Sequence, residues 1–142
     1  MTRTAPHGFL KIGAASPRLR VADPDYNVGQ ISSLVRDAAA RGVQVLVLPE
    51  LALTGYTCGD LFFSLTTLVG GAERALARLL SETASLPMVV VVGLPLAADG
   101  RLFNVAAVMQ SGRLVGLVPK SFLPGYKAVS YTHLTLPTKR IV

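Results

Sequence analysis

The chain has 142 residues, 51% of them hydrophobic, with 14 Lys and Arg against 8 Asp and Glu. That length suits about one domain with ample apolar material for a core, and a charged fraction of only 15% excludes disorder over most of it. The longest apolar stretches, Val43–Leu48 and Met88–Val92, are far shorter than the roughly 20 residues a membrane-spanning helix needs.

Met1–His7 lacks the apolar stretch of a secretory signal, so a cytoplasmic protein is expected. Phe9–Ala15 predicts a first strand. Asp23-Pro24 predicts a helix start, an N-cap followed by proline at the first helical position. Val28, Ile31, Leu34, Val35 and Ala38 then fall on one helical face, and Gly42 is the expected stop. Val43–Leu48, rich in branched residues, predicts a strand buried on both faces. Strand, helix and strand in this order suggest a βαβ unit with a right-handed crossover. Beyond the loop Pro49–Gly59, Asp60 is placed to cap a short helical segment, and Ala72, Ala75, Leu76, Leu79 and Leu80 mark a second helix. Met88–Gly93 predicts another buried strand. Leu102–Gln110 and Arg113–Val118, joined by Ser111-Gly112, predict a hairpin. The pattern is α/β with a mixed sheet. Ala128–Val142 continues no period and holds no acidic residue.

Two residues stand out for chemistry. Glu50 follows a predicted strand and a proline, at the carboxyl end where open α/β sheets place their sites. Lys120 repeats the arrangement in Val118-Pro119-Lys120, with proline stopping the ladder so that the next side chain can be aimed into a cleft. As a buried pair of opposite sign they would be costly without a functional return; as separate residues they are an ordinary loop glutamate and a strand-end lysine. Cys58, the single cysteine, has no motif of its own and reads as a small loop residue rather than a nucleophile. It cannot build a disulfide framework, and with two histidines it makes a poor zinc site, so no metal is expected. Ser64 and Ser121 lack a histidine in any recognisable pattern, His7 and His133 lie near the ends, and the glycines form no phosphate-cradling signature. Arg36, Arg41, Arg74, Arg78, Arg101 and Arg113 fall singly, as solvated faces do, so no nucleic-acid partner and no membrane partner are expected.

Several segments together carry a family resemblance: Leu48–Phe62 (Leu-Pro-Glu-Leu-Ala-Leu-Thr-Gly-Tyr-Thr-Cys-Gly-Asp-Leu-Phe), Val92-Gly-Leu-Pro95, Gly100–Val108 and Gly116–Tyr126. In this order and at these separations, over residues from about 7 to 127, they resemble the carbon–nitrogen hydrolase (nitrilase) superfamily. Cys-Gly-Asp-Leu-Phe and Pro-Lys-Ser-Phe-Leu-Pro-x-Tyr look like its branch of glutaminase domains, which stand at the N-terminus of glutamine-dependent NAD+ synthetases. The resemblance implies the first part of an αββα sandwich with a mixed β-sheet, and a Glu–Lys–Cys triad. Glu50 then matches the general base, Lys120 the triad lysine, and Tyr126 a tyrosine lining the glutamine pocket. It implies glutamine as substrate and no cofactor for the glutaminase part, with ATP and Mg serving a synthetase domain that amidates nicotinic acid adenine dinucleotide. The parent protein is expected to be a homo-oligomer.

One departure stands beside this. The family's nucleophilic cysteine lies well beyond the lysine on a later strand, and Cys58, in the loop after Glu50, does not match it. Residues 128–142 resemble translated adaptor or vector read-through, so the expected organisation is 1–127 as the N-terminal portion of a glutaminase domain and 128–142 as a cloning scar. Such a chain is expected to be inactive by itself, with an uncovered apolar sheet face. A stand-alone amidase or carbamoylase shares the same residues; a non-catalytic α/β binding module would hold Glu50 and Lys120 far apart and exposed.

Overall fold

Short apolar runs separated by two amphipathic helical stretches build one mixed sheet in a computed structural model, which describes residues 8–58 and 66–122. In chain order these are β1 (Ile12–Ala14), α1 (Pro24–Ala40), β2 (Val45–Val47), α2 (Thr66–Glu82), β3 (Val89–Ala98), β4 (Arg101–Gln110) and β5 (Arg113–Pro119), with a 3-10 turn at Tyr56–Cys58 between β2 and α2. The strands lie side by side in sequence order. β1, β2 and β3 run parallel, and β4 and β5 return antiparallel. This is the α/β class with a mixed sheet that the pattern predicts.

The local signals act as expected at α1. The Asp23 carboxylate accepts the Tyr26 N–H (3.0 Å), Pro24 opens the helix, and Arg41 and Gly42 follow its last turn. Two hairpins complete the sheet. Each turn holds both central residues at positive φ, Asp99 (50°) with Gly100 (70°) and Ser111 (49°) with Gly112 (74°), as the tightest hairpin turns require. The first of these extends β3 to Ala98, well past the predicted end at Gly93.

Strand alternation sorts the sheet into two unlike faces. Leu46, Val90, Val92, Leu94, Val105, Ala107 and Met109 pack beneath Val28, Ile31 and Val35 of α1 and Ala72, Ala75, Leu76 and Leu79 of α2, forming the core. The opposite face carries Ile12, Val47 and Val118, each exposed. The expectation that Val43–Leu48 is buried on both faces is therefore wrong. β2 is only three residues long; Leu46 is 2% exposed and its neighbour Val47 is 45% exposed, because among the described residues the helices cover one side only. Asp60, Ser64, Tyr126, His7, His133 and the segment 128–142 lie outside the described residues.

Candidate active site

Glu50 and Lys120 leave the sheet from β2 and β5, with β3 and β4 between them. At about 4.8 Å per strand those two ends lie roughly 14 Å apart. Yet Lys120 Nζ donates to Glu50 Oε1 at 2.8 Å. The backbone after β2 closes the gap. Leu48 N–H still bonds the Val91 carbonyl (2.9 Å), and Leu53 N–H bonds the Gly93 carbonyl (3.1 Å). Between these anchors the chain crosses β3 on the face away from the helices and delivers Glu50 to β4 and β5.

The crossing is held tightly. Leu51 adopts φ 53°, a left-handed conformation that costs about 1–2 kcal/mol for a non-glycine residue. Its carbonyl accepts the N–H groups of Thr54 (3.1 Å) and Gly55 (2.8 Å), and its side chain is buried with Cys58 and Leu68. Asn27, fully buried at the start of α1, accepts the Arg20 N–H (2.7 Å) and donates to the carbonyls of Arg20 (2.8 Å) and Leu53 (3.1 Å). It thereby ties the loop before α1 to the turn after Glu50.

Lys120 is placed from the other side. Proline at 119 does not stop the ladder, as the sequence reading has it. Pro119 sits opposite Val105 on the edge strand, and the next N–H, that of Lys120, bonds the Asn104 carbonyl at 2.9 Å. An edge strand tolerates proline where the missing N–H would face outward. Asn104 also donates its side-chain amide to Glu50 Oε1, so one residue of β4 contacts both members of the pair. Sequence reasoning missed Asn104. Its signal is an amide, a poor strand former, within the run Leu102-Phe-Asn-Val-Ala-Ala-Val108.

The pair is not buried. The side chains of Glu50 and Lys120 are 38% and 31% exposed. A solvent-accessible ion pair contributes at most about 1 kcal/mol to stability. Both Lys120 and Asn104 donate to Oε1, and among the described residues no donor reaches Oε2. A cation, an amide and a carboxylate with one oxygen left open suit proton transfer beside a developing negative charge. The contact is also incompatible with a binding module that holds the two residues far apart.

Cys58 lies elsewhere in chemical terms. Its thiol is buried and donates to the Thr54 carbonyl (3.1 Å), and burial pushes its pKa up despite hydrogen bonds at Ala22 and Thr54. A thiol so placed is a poor nucleophile. Among the described residues no three His, Cys, Asp or Glu side chains stand together to hold a metal ion, and no helix is long and apolar enough to cross a membrane.

The described residues thus form a mixed sheet with helices on one face and a glutamate joined to a lysine on the other. The carbon–nitrogen hydrolase family matches residues 11–138, and the chain belongs to that family. It is 36% identical over 121 residues to the glutamine-dependent NAD+ synthetase of Mycobacterium tuberculosis, covering 85% of this chain and 18% of that protein. Among solved structures, the glutamine-dependent NAD+ synthetase of Cytophaga hutchinsonii superposes with a TM-score of 0.75 at 28% identity, over 82% of this chain and 20% of that one. An amidase from Nesterenkonia sp. shares the fold (TM-score 0.74, 21% identity) over 92% of this chain and 49% of its own. The chain thus spans about a fifth of the length of the synthetases it matches.

Proposed function

We propose that this chain is the N-terminal portion of a glutaminase domain that supplies ammonia for NAD+ synthesis. The observation that carries the reading is the 2.8 Å contact between Glu50 and Lys120, brought together from strands that are not neighbours. An exposed pair adds little stability, so a backbone crossing built to make it is better explained by chemistry. Similarity to glutamine-dependent NAD+ synthetases supports the choice of glutamine over another amide.

In this reading Glu50 is the general base, with Oε2 taking the proton of a cysteine thiol supplied from beyond Lys120. The sulfur attacks the glutamine carboxamide carbon, and the ammonium of Lys120 stabilises the negative oxygen of the tetrahedral intermediate. Glu50 returns its proton to the nitrogen, the C–N bond breaks, and ammonia leaves a thioester. Water then attacks with Glu50 again as base, releasing glutamate and the thiol. Asn104 holds Oε1 so that Oε2 faces the reacting atoms. Tyr126 is assigned to the glutamine pocket through the family motif alone. ATP and magnesium belong to the synthetase part of such proteins; the described residues offer them no carboxylate cluster, and no step above passes through them. A cytoplasmic location and a homo-oligomeric parent complete the reading. The change of sequence near residue 127 stays part of this reading, although the family match runs on to residue 138.

The test uses the gene itself. The 142-residue chain is expected to hydrolyse no glutamine, because Cys58 is its single cysteine. The open reading frame continued past Lys127 from the source gene is expected to contain a further cysteine and to release ammonia from glutamine. In that longer protein Glu50→Gln and Lys120→Met should each lower kcat by about 10²–10⁴-fold. Hydrolysis by the short chain, abolished by Cys58→Ala, would overturn the assignment.

A further inference from the structure

We propose that Gly93 is a positioning residue, the one place in β3 where the carboxylate-bearing segment can cross the sheet. A Cβ built at Gly93 would stand 2.4 Å from Leu51 N, 2.8 Å from Pro49 O and 2.9 Å from the Glu50 carbonyl carbon. All three are backbone atoms, so no rotamer change relieves the clash. The backbone of Gly93 itself makes no special demand, since it is a regular strand residue paired with Ala106 and is absent from the positive-φ positions. Glycine in a strand interior weakens the strand unless something approaches closely. Here the approaching group is the backbone that carries Glu50.

The register shows what this achieves. Gly93 lies opposite Ala106, and Asn104, on the same face of β4, contacts both Glu50 and Lys120. Any side chain at 93 lifts the Pro49–Leu51 segment off the sheet. Restoring ordinary contact from 2.4 Å needs a shift of about 1 Å. Leu51, held at φ 53° by two hydrogen bonds to its carbonyl, leaves the segment little freedom to absorb such a shift elsewhere. Glu50 then moves away from Lys120 while the β3–β4 ladder stays paired. The importance of Gly93 to catalysis rests on the glutaminase reading; its effect on the Glu50–Lys120 contact does not.

Carbodiimide coupling measures that contact in the chain as it stands. The reagent activates the Glu50 carboxyl, the Lys120 amine attacks its carbonyl carbon, and an isopeptide bond forms with loss of water as the carbodiimide becomes its urea. Peptide mapping by mass spectrometry reads the yield of the 50–120 link, and circular dichroism with hydrogen exchange reads the sheet. For Gly93→Ala with an intact sheet, the yield is expected to fall at least about tenfold, as a misplacement of about 1 Å implies. Gly116→Ala, on the same face where a Cβ meets nothing within 4 Å, should keep it. An unchanged yield in folded Gly93→Ala, or an equal loss in Gly116→Ala, overturns the proposal. Should Gly93→Ala unfold, a short glycine insertion between Leu48 and Pro49 frees the crossing segment. Recovery of the sheet without the link then supports the proposal, and persistent unfolding contradicts it. Absence of the link in the unsubstituted chain would remove the pair, and with it both this inference and the glutaminase reading; loss of the Gly93 effect alone leaves that reading standing.

Discussion

The two faces of the sheet are built from the same strands and made to opposite ends. On one, Leu46, Val90, Val92 and Met109 meet α1 and α2 and are almost wholly removed from water. On the other, Val47 and Val118 stay exposed and the backbone between Leu48 and Leu53 crosses over β3 to set Glu50 against Asn104 and Lys120. The first face holds the fold together by apolar burial. The second accepts a left-handed Leu51 and a partly solvated ion pair that returns little stability. The buried core and the open face that carries the Glu50–Lys120 pair are thus separated by strand parity, one residue apart along β2.

Adjacent substitutions should break that contrast most clearly. Leu46→Ala removes a buried side chain and is expected to destabilise the chain by about 2–5 kcal/mol in urea or thermal unfolding. A cost below about 1 kcal/mol would mean that the helix-covered face is not the core. Asn104→Ala removes a hydrogen bond to a carboxylate that remains open to water, so its stability cost is expected to be about 1 kcal/mol. The Glu50–Lys120 coupling yield should nevertheless drop severalfold, less than for Gly93→Ala. If stability falls steeply and the coupling does not change, Asn104 serves the sheet rather than the site. Val47→Thr, one residue from Leu46, should change stability by no more than about 0.5 kcal/mol. Last, Cys58 should resist a thiol reagent at neutral pH until the chain is denatured, since burial both shields the thiol and raises its pKa. Rapid modification of the native chain would show that the loop after Glu50 is open.

Much of this was legible in the sequence where the signal is local. Asp23-Pro24 starts a helix through a cap that needs only the next three residues, and Ser111-Gly112 makes a hairpin turn from its own torsions. Asp99-Gly100 carried an equally strong turn signal, and reading it would have extended β3 to its observed end. Glu50 and Lys120 were marked by the proline before each, although Pro119 acts differently than expected, because the β4–β5 ladder continues beyond it to Lys120 N–H. What could not be read was the consequence of strand order. The strand ends bearing the two charges are three positions apart, so the contact depends on a crossing whose cause, Gly93, is silent as a single letter. Asn104 and Asn27 act on chain segments distant in sequence, and an isolated asparagine does not disclose its partners. The exposure of Val47 is silent in the sequence for a related reason: branched residues favour a strand, but what covers each face is decided by the layers around it.

The most direct measurement is the site of carbodiimide coupling in the unsubstituted chain. A crossing that brings the acid of β2 to the amine of β5 predicts an isopeptide bond between Glu50 and Lys120 as the dominant internal product. Coupling of Lys120 to other carboxylates, with none to Glu50 in a folded chain, would show that the two strand ends never meet and that this face carries no such centre.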